Sequence, residues 1–210
     1  MPKTAKAERL SADERRERII RGATRVFAER GYTDASMAGI ARAAGITPAV
    51  IYDHFPSKAE LHITLLERET RQMLAAIGTA LDAAPEEPAA RLRAGVDAFF
   101  AFVEDHEFAW RLIFRDAPAD PDVARAYRRL GDGTTGAVGG FLRMTAPESL
   151  LAAPDAEQRF EIFAKTLTAA MTGLAFWWYE HREVPRAALV DRFLEFAWIG
   201  LERVTAGERL

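Results

Sequence analysis

Cysteine is absent from this chain of 210 residues. No disulfide framework and no thiolate-ligated metal site can be built from it, and the composition suits a reducing cytoplasm. No apolar run approaches the roughly 20 residues that a membrane-spanning helix needs, so no membrane partner is expected. The opening MPKTAKAERLSADERRER has none of the apolar core of a secretion signal. Histidine is scarce. His54, His62, His106 and His181 are the only four, and none stands in a metal-binding spacing such as His-Glu-x-x-His. There is no Gly-x-Ser-x-Gly elbow and no thiol nucleophile, so neither an enzyme nor a cofactor is expected. Glu104-Asp105-His106-Glu107 crowd together, but consecutive residues on a helix point around its axis, and a solvated helix junction is the simpler reading. No stretch alternates as a strand would, and no segment repeats.

What is present is a folded, helix-forming composition. Apolar residues make up 49%, enough for a sizeable core and too many for a disordered chain. The charge is unevenly spread. Residues 1–60 hold 11 Lys and Arg against 8 Asp and Glu, a net of +3; residues 61–210 hold 17 against 23, a net of −6. A basic head on an acidic body suggests that the head alone faces a polyanion.

The head is organised around Ser36–Lys58, SMAGIARAAGITPAVIYDHFPSK. The pattern predicts a short helix over Met37–Ala44 capped by Ser36, a reversal at Gly45, and a second helix capped by Thr47 with Pro48 at its first position. Ala41, Gly45 and Ile51 are offset by four and ten residues. They supply the small crossing residue, the turn glycine and the buried branched residue that a helix-turn-helix requires. Pro56 ends the second helix. In such modules the second helix enters the major groove and flanking polar groups hold phosphates. Thr47, Pro48, Ala49 and Val50 are therefore the candidate base readers. Tyr52, His54 and Lys58, with the hydroxyls of Thr33 and Ser36, are the candidate phosphate contacts. Before this pair, Ser11 and Glu14 form a capping box for a helix from Ala12 to Arg30, whose Ile20, Ala23 and Phe27 form a packing face and which Gly31 stops. Residues 1–10 read as a flexible arm carrying Lys3, Lys6 and Arg9.

Three pieces, RIIRGATRVFAERGY (Arg18–Tyr32), SMAGIARAAGITPAVIYDHF (Ser36–Phe55) and PSKAEL (Pro56–Leu61), resemble the DNA-binding domain of the tetracycline-repressor (TetR) family of bacterial regulators. The resemblance covers residues 11–65, about a quarter of the chain. It implies an all-α protein with a three-helix DNA-binding head over 11–56 and a helical-bundle body over 57–210 for effector binding and dimerisation. It also implies repression as the usual mode. The chain departs from many members at Thr47 and Ala49, where serine and glycine are common, which leaves the base-reading pattern open.

Ser57 and Glu60 predict a cap for a long helix to about Ala83, a physical link from head to body. Further helices are expected over 87–105, 107–116 and from Pro121. The glycine-rich GDGTTGAVGG (Gly131–Gly140) should interrupt that last helix; it lacks the Gly-Lys-Ser/Thr ending of a phosphate loop. Ala146–Pro154 reads as a loop, followed by two apolar helices from Asp155 and Arg186. The first of these also carries a second apolar stripe, Ile162, Thr166, Ala169, Gly173, Phe176 and Trp177, which suggests a homodimer through a four-helix interface. Phe160, Leu167, Leu174, Trp178, Phe193, Phe196, Gly200 and Leu201 are the candidate interface residues. Large aromatics beside many alanines suggest a cavity, with Phe99, Phe102, Trp110, Phe114, Tyr127, Phe141, Met171 and Trp177 as candidate lining for a small lipophilic or aromatic effector. The partners expected are thus a palindromic double-stranded operator, that effector and a second copy of the chain. The alternatives are an all-α interaction module or an uncharacterised enzyme, neither binding DNA.

Overall fold

The computed structural model describes residues 11–114 and 119–205, the stretch 199–205 by backbone alone. The arm at residues 1–10 lies outside the described residues, which form α-helices joined by short turns and contain no strand. Helix α1 (Ala12–Asp34) begins on the expected capping box: the Ser11 hydroxyl accepts from Glu14 N–H, and the Glu14 carboxylate accepts from Ser11 N–H at 2.7 Å. Gly31 bends the helix at φ 76° rather than ending it, and one further turn follows to Asp34. That positive φ is open to glycine and costly for other residues.

Helix α2 (Met37–Ala44) starts at Ser36, whose hydroxyl accepts from Gly39 N–H at 3.1 Å. It ends at Gly45, left-handed at φ 67°, after which Ile46 N–H returns to the Ala41 carbonyl. Helix α3 (Pro48–His54) follows with proline in its first turn. Ile19, Ile20, Ala23 and Phe27 of α1 bury against Ile40, Ala41, Ile51 and Phe55 to make the head's core. Each large side chain so buried contributes about 1.5–3 kcal/mol.

Helix α4 (Lys58–Ala83) runs from that core into the next. Its Leu61 and Leu65 belong to the head's core, and its Met73 to the body's. The body adds α5 (Pro88–Asp105), α6 (Ala109–Phe114), α7 (Pro121–Met144), α8 (Glu148–Leu151), α9 (Ala156–Glu180) and α10 (Arg186–Thr205). Phe100, Trp110, Trp178 and Phe193 anchor its core. Leu112 of α6 packs into the head's core, so the boundary at 56/57 separates chain segments and not cores.

Two expectations are corrected. Residues 146–154 are not all loop: α8 forms one turn that buries Leu150 against Leu142 and Phe160. The glycine-rich stretch does not interrupt α7, which is helical from 121 to 144. Asp120 caps it by accepting from Asp122 and Val123 N–H, and burial against α4 and α9 outweighs the roughly 0.5–1 kcal/mol that each helical glycine costs. At Gly139 an added Cβ would lie 3.1 Å from Arg143 Nη1, the movable end of a long side chain, and in ordinary contact with Ala164 at 3.7 Å. Gly131 and Gly133 face open space. Changing either to alanine should raise stability by about 0.5–1 kcal/mol, read as a higher thermal midpoint. A lowered midpoint would mean that the chain needs the local looseness.

Candidate nucleic-acid interface and body cavity

Most of the candidate DNA contacts fall on or beside α2 and α3, with Thr33 at the end of α1. Thr33, Ser36, Thr47, Pro48, Ala49 and Tyr52 are exposed, and Val50 and His54 are half-buried. The Thr47 hydroxyl makes no capping bond, so it is available to a ligand, and the Ser36 hydroxyl, which accepts from Gly39 N–H, keeps its own proton to donate. Arg42, on the exposed side of α2, has no hydrogen bond or ion pair to any described residue. Sequence reasoning missed it; the signal was that it is the sole cation within α2.

Lys58 differs from the expectation of a phosphate contact. Its ammonium donates to the carbonyls of Tyr32, Thr33 and Ala35 at 2.8, 3.3 and 3.0 Å. An ammonium has three protons, and these acceptors take them. It also lies 4.4 Å from the centre of the Tyr32 ring. Lys58 therefore ties the end of α1 to the start of α4 and acts by positioning.

Behind Lys58 the head meets the body in a cluster of polar aromatics. The Tyr32 hydroxyl donates to Asp120 at 2.8 Å. Burial and that carboxylate push the Tyr32 pKa up to about 12, and the bond holds Asp120 below the usual range. The Tyr127 hydroxyl donates to the Leu112 carbonyl at 2.7 Å and lies 3.3 Å from His62 Nε2. With its proton so committed, Tyr127 can only accept from His62. That assigns the Nε2–H tautomer and leaves the bare Nδ1 lone pair as the unpartnered atom.

His62 is 2% exposed. Burial, then the Lys58 charge, lower its pKa to about 4, with Asp120 acting weakly in the opposite direction. The folded state resists a proton that the unfolded chain accepts near the ordinary 6.5, so this contribution to stability is full above 6.5 and drains as pH falls toward 4. At about 1.4 kcal/mol per pH unit, acidification to pH 4.5 should cost about 2–3 kcal/mol through this residue. Urea melts at pH 7 and pH 4.5 test this against His62→Leu, which should lose that much less. Equal losses in both proteins would place the acid sensitivity elsewhere.

A cavity of about 220 Å³ opens in the body between α4, α5, α7 and α9. Phe99, Phe114, Phe141 and Met171 of the eight candidate residues line it. The other four do not. Phe102 is buried against His106, Trp110 is fully buried in the core, Tyr127 belongs to the head–body cluster, and Trp177 lies on the surface stacked on His181. Lining absent from the candidate set came from α4, with Leu74, Ile77 and Leu81. Among the described residues no group of His, Asp and Glu could hold a metal ion.

The apolar faces of α9 sort differently from the expectation. Phe160, Trp178 and Phe193 are at most 6% exposed within the single subunit, so they are core and not a free surface. Leu167 and Leu174 pack against that core. Phe196 is 80% exposed, and the side chains of Gly200 and Leu201 lie outside the described residues. The exposed stripe of α9 is the second one, Ile162, Thr166, Ala169, Gly173, Phe176 and Trp177.

A helix-turn-helix head joined by a long helix to a helical body is the architecture of a DNA-binding transcriptional regulator. Comparison with known proteins supports this reading. Residues 19–63 match the model of bacterial regulatory proteins of the tetR family. Residues 88–200 match the tetracyclin repressor-like C-terminal domain. Over 95% of the chain and 88% of the relative, it is 34% identical to the HTH-type transcriptional activator FasR of Mycolicibacterium smegmatis. It is 24% identical over 73% of its length, and 70% of the relative's, to the transcriptional regulator EthR of the same organism. A TetR-like regulator from Rhodococcus sp. RHA1 superposes with a TM-score of 0.74 at 25% identity, covering 92% of this chain and 99% of that one. The chain belongs to the TetR family of transcriptional regulators, proteins that bind operator DNA and are not enzymes.

Proposed function

We propose that the protein is a ligand-responsive dimeric regulator whose affinity for a palindromic operator is set by occupancy of the body cavity. The observation that supports it most is shared structure. Helix α4 lines the cavity with Leu74 and Ile77 and holds the head's core with Leu61 and Leu65. Helix α6 does the same with Phe114 and Leu112. An occupant that moves either helix moves the head. It acts only through different affinity for the two arrangements, a coupling of about 1–3 kcal/mol or roughly 5–150-fold.

In this reading α3 enters the major groove with Thr47, Pro48, Ala49 and Val50 toward the bases. Thr33, Ser36, Tyr52, His54 and Arg42 meet the phosphates. A dimer bound across a promoter represses it, the simplest mode; one bound upstream can assist transcription, and the relative from M. smegmatis is named an activator. No described helix is long and apolar enough to cross a membrane, and the cytoplasm is the proposed site of action.

The dimer is proposed through α9 and α10. Ile162, Thr166, Ala169, Gly173 and Phe176 are exposed at alternating spacings of four and three, the seam of a helix pair. The small residues in the middle let two backbones approach. Phe196 extends the apolar surface on α10. Light scattering should give a dimer for the native chain and a monomer for Phe176→Glu. A native monomer at micromolar concentration would remove the interface. The switch is tested by filling the cavity with Val138→Trp. A folded variant should bind operator at least fivefold more weakly. Unchanged operator affinity in a folded, filled variant would refute ligand control.

A further inference from the structure

We propose that Tyr32 and Asp120 are positioning residues for DNA binding: through this pair α7, acting as a lever about Tyr127, carries the state of the body cavity to the DNA face. This deepens the reading of the cavity as the control site and rests on it, adding a route beside α4 and α6.

The head's end of the route is Tyr32. Gly31, at φ 76°, re-aims the last turn of α1. The Tyr32 hydroxyl then leaves the head and reaches Asp120 at 2.8 Å, 88 positions along the chain. The rest of the ring is wedged. The Lys58 ammonium lies 4.4 Å from its centre, and His62 meets it edge-on with centres 5.1 Å apart. Lys58 also gathers the carbonyls of Tyr32, Thr33 and Ala35, so this segment moves as one piece. The next residue, Ser36, caps α2. A shift of the phenol is therefore a shift of the start of α2, and of the Thr33 and Ser36 hydroxyls beside it.

The body's end is α7. Asp120 caps this helix with one carboxylate oxygen, which accepts from Asp122 and Val123 N–H, and holds Tyr32 with the other. The same helix walls the cavity with Thr134, Val138 and Phe141. Near Tyr127 it is pinned. That hydroxyl donates to the Leu112 carbonyl at 2.7 Å, and the ring stacks on His62 with centres 5.9 Å apart. Arg129, two residues on, pairs with Glu67 of α4 at 2.5 Å. From 128 to 133 no residue of α7 is buried, and Gly131 and Gly133 face open space, so side-chain packing there does not oppose a tilt.

The spacing sets the leverage. Val138 stands beyond Tyr127 by about 16 Å of helix, and Asp120 before it by about 10 Å. An occupant that pushes Val138 outward by about 1 Å swings Asp120 by about 0.6 Å the other way. An O–H···O bond holds between about 2.5 and 3.0 Å, so the phenol must follow.

The test uses the full-length protein and the duplex it enriches most from random fragments, with Val138→Trp standing in for an occupant. In the native background Val138→Trp should weaken binding at least about fivefold. In a Tyr32→Phe background, which keeps the ring and removes only the hydroxyl, the same change should cost less than about twofold. Asp120→Ser keeps a capping oxygen but draws it back from Tyr32, and should give the same result as Tyr32→Phe. A pair that merely stabilised the fold would leave the factor lost to Val138→Trp the same in all three backgrounds. That outcome overturns the route while control by the cavity stands. If Val138→Trp folds and costs nothing in the native background, control by the cavity falls and the route falls with it. Leu167→Trp fills the same space from α9 and repeats the comparison where Val138→Trp does not fold.

Discussion

Gly22→Val should destabilise the head by about 3 kcal/mol. Gly22 lies on the buried face of α1 where it crosses α2, and a Cβ placed there would stand 3.0 Å from the Ala44 backbone nitrogen and 3.2 Å from its Cα. Helix propensity works the other way and would favour a larger residue by up to about 1 kcal/mol. The steric term wins because the obstacle is main chain. Ala44 cannot rotate away, and it immediately precedes the left-handed Gly45 that sets the turn. Overpacking of a close crossing costs about 1–3 kcal/mol, and the branched side chain should reach the top of that range. The expected results are loss of binding to duplex DNA, a lowered melting transition for the head and retained helicity in the body. Circular dichroism with a gel-shift titration reads all three. Full DNA affinity in this variant would mean that α1 and α2 cross less tightly than described.

Lys58→Met should cost about 2 kcal/mol of stability, since hydrogen bonds from a charged donor are worth roughly 1.5–3 kcal/mol. It leaves the carbonyls of Tyr32, Thr33 and Ala35 to water at the joint between α1, α2 and α4. DNA binding should weaken because the face is less well held. The dependence of affinity on salt should hardly change, because the ammonium is turned into the protein. Arg42→Gln gives the contrast. Its stability should be unaffected, while the slope of log K against log salt should fall by about 0.9, the release expected for one lost phosphate contact. Titrations of any duplex across a range of salt separate the two roles. If Lys58→Met flattens the slope and Arg42→Gln does not, the assignments are reversed.

The head was legible in the sequence because its signals are local. A cap hydroxyl, a chain-reversing glycine and a proline in a first turn each act within four residues, and Ser36, Gly45 and Pro48 stand where that logic puts them. What stayed hidden depends on neighbours distant in the chain. Gly22 reads as an unremarkable helix residue until Ala44 is set against it. Lys58 reads as a free cation until the carbonyls at the end of α1 surround it. The glycines of α7 read as a break because propensity counts only the helix itself, while contact with α4 and α9 keeps it helical. Of the body's seven aromatic candidates three line the cavity and four lie elsewhere, since periodicity marks a buried face without telling a filled space from an empty one.

The most direct test of the central claim is selection of DNA fragments by the purified protein. The account predicts an enriched palindrome whose half-site centres lie about 34–36 Å apart along the duplex, or a multiple of that, as two copies of α3 in successive major grooves require. Base preferences within it should change with Thr47 and Val50. Enrichment of no sequence, or of a site without two-fold symmetry, would contradict a dimeric regulator that reads DNA through this helix pair.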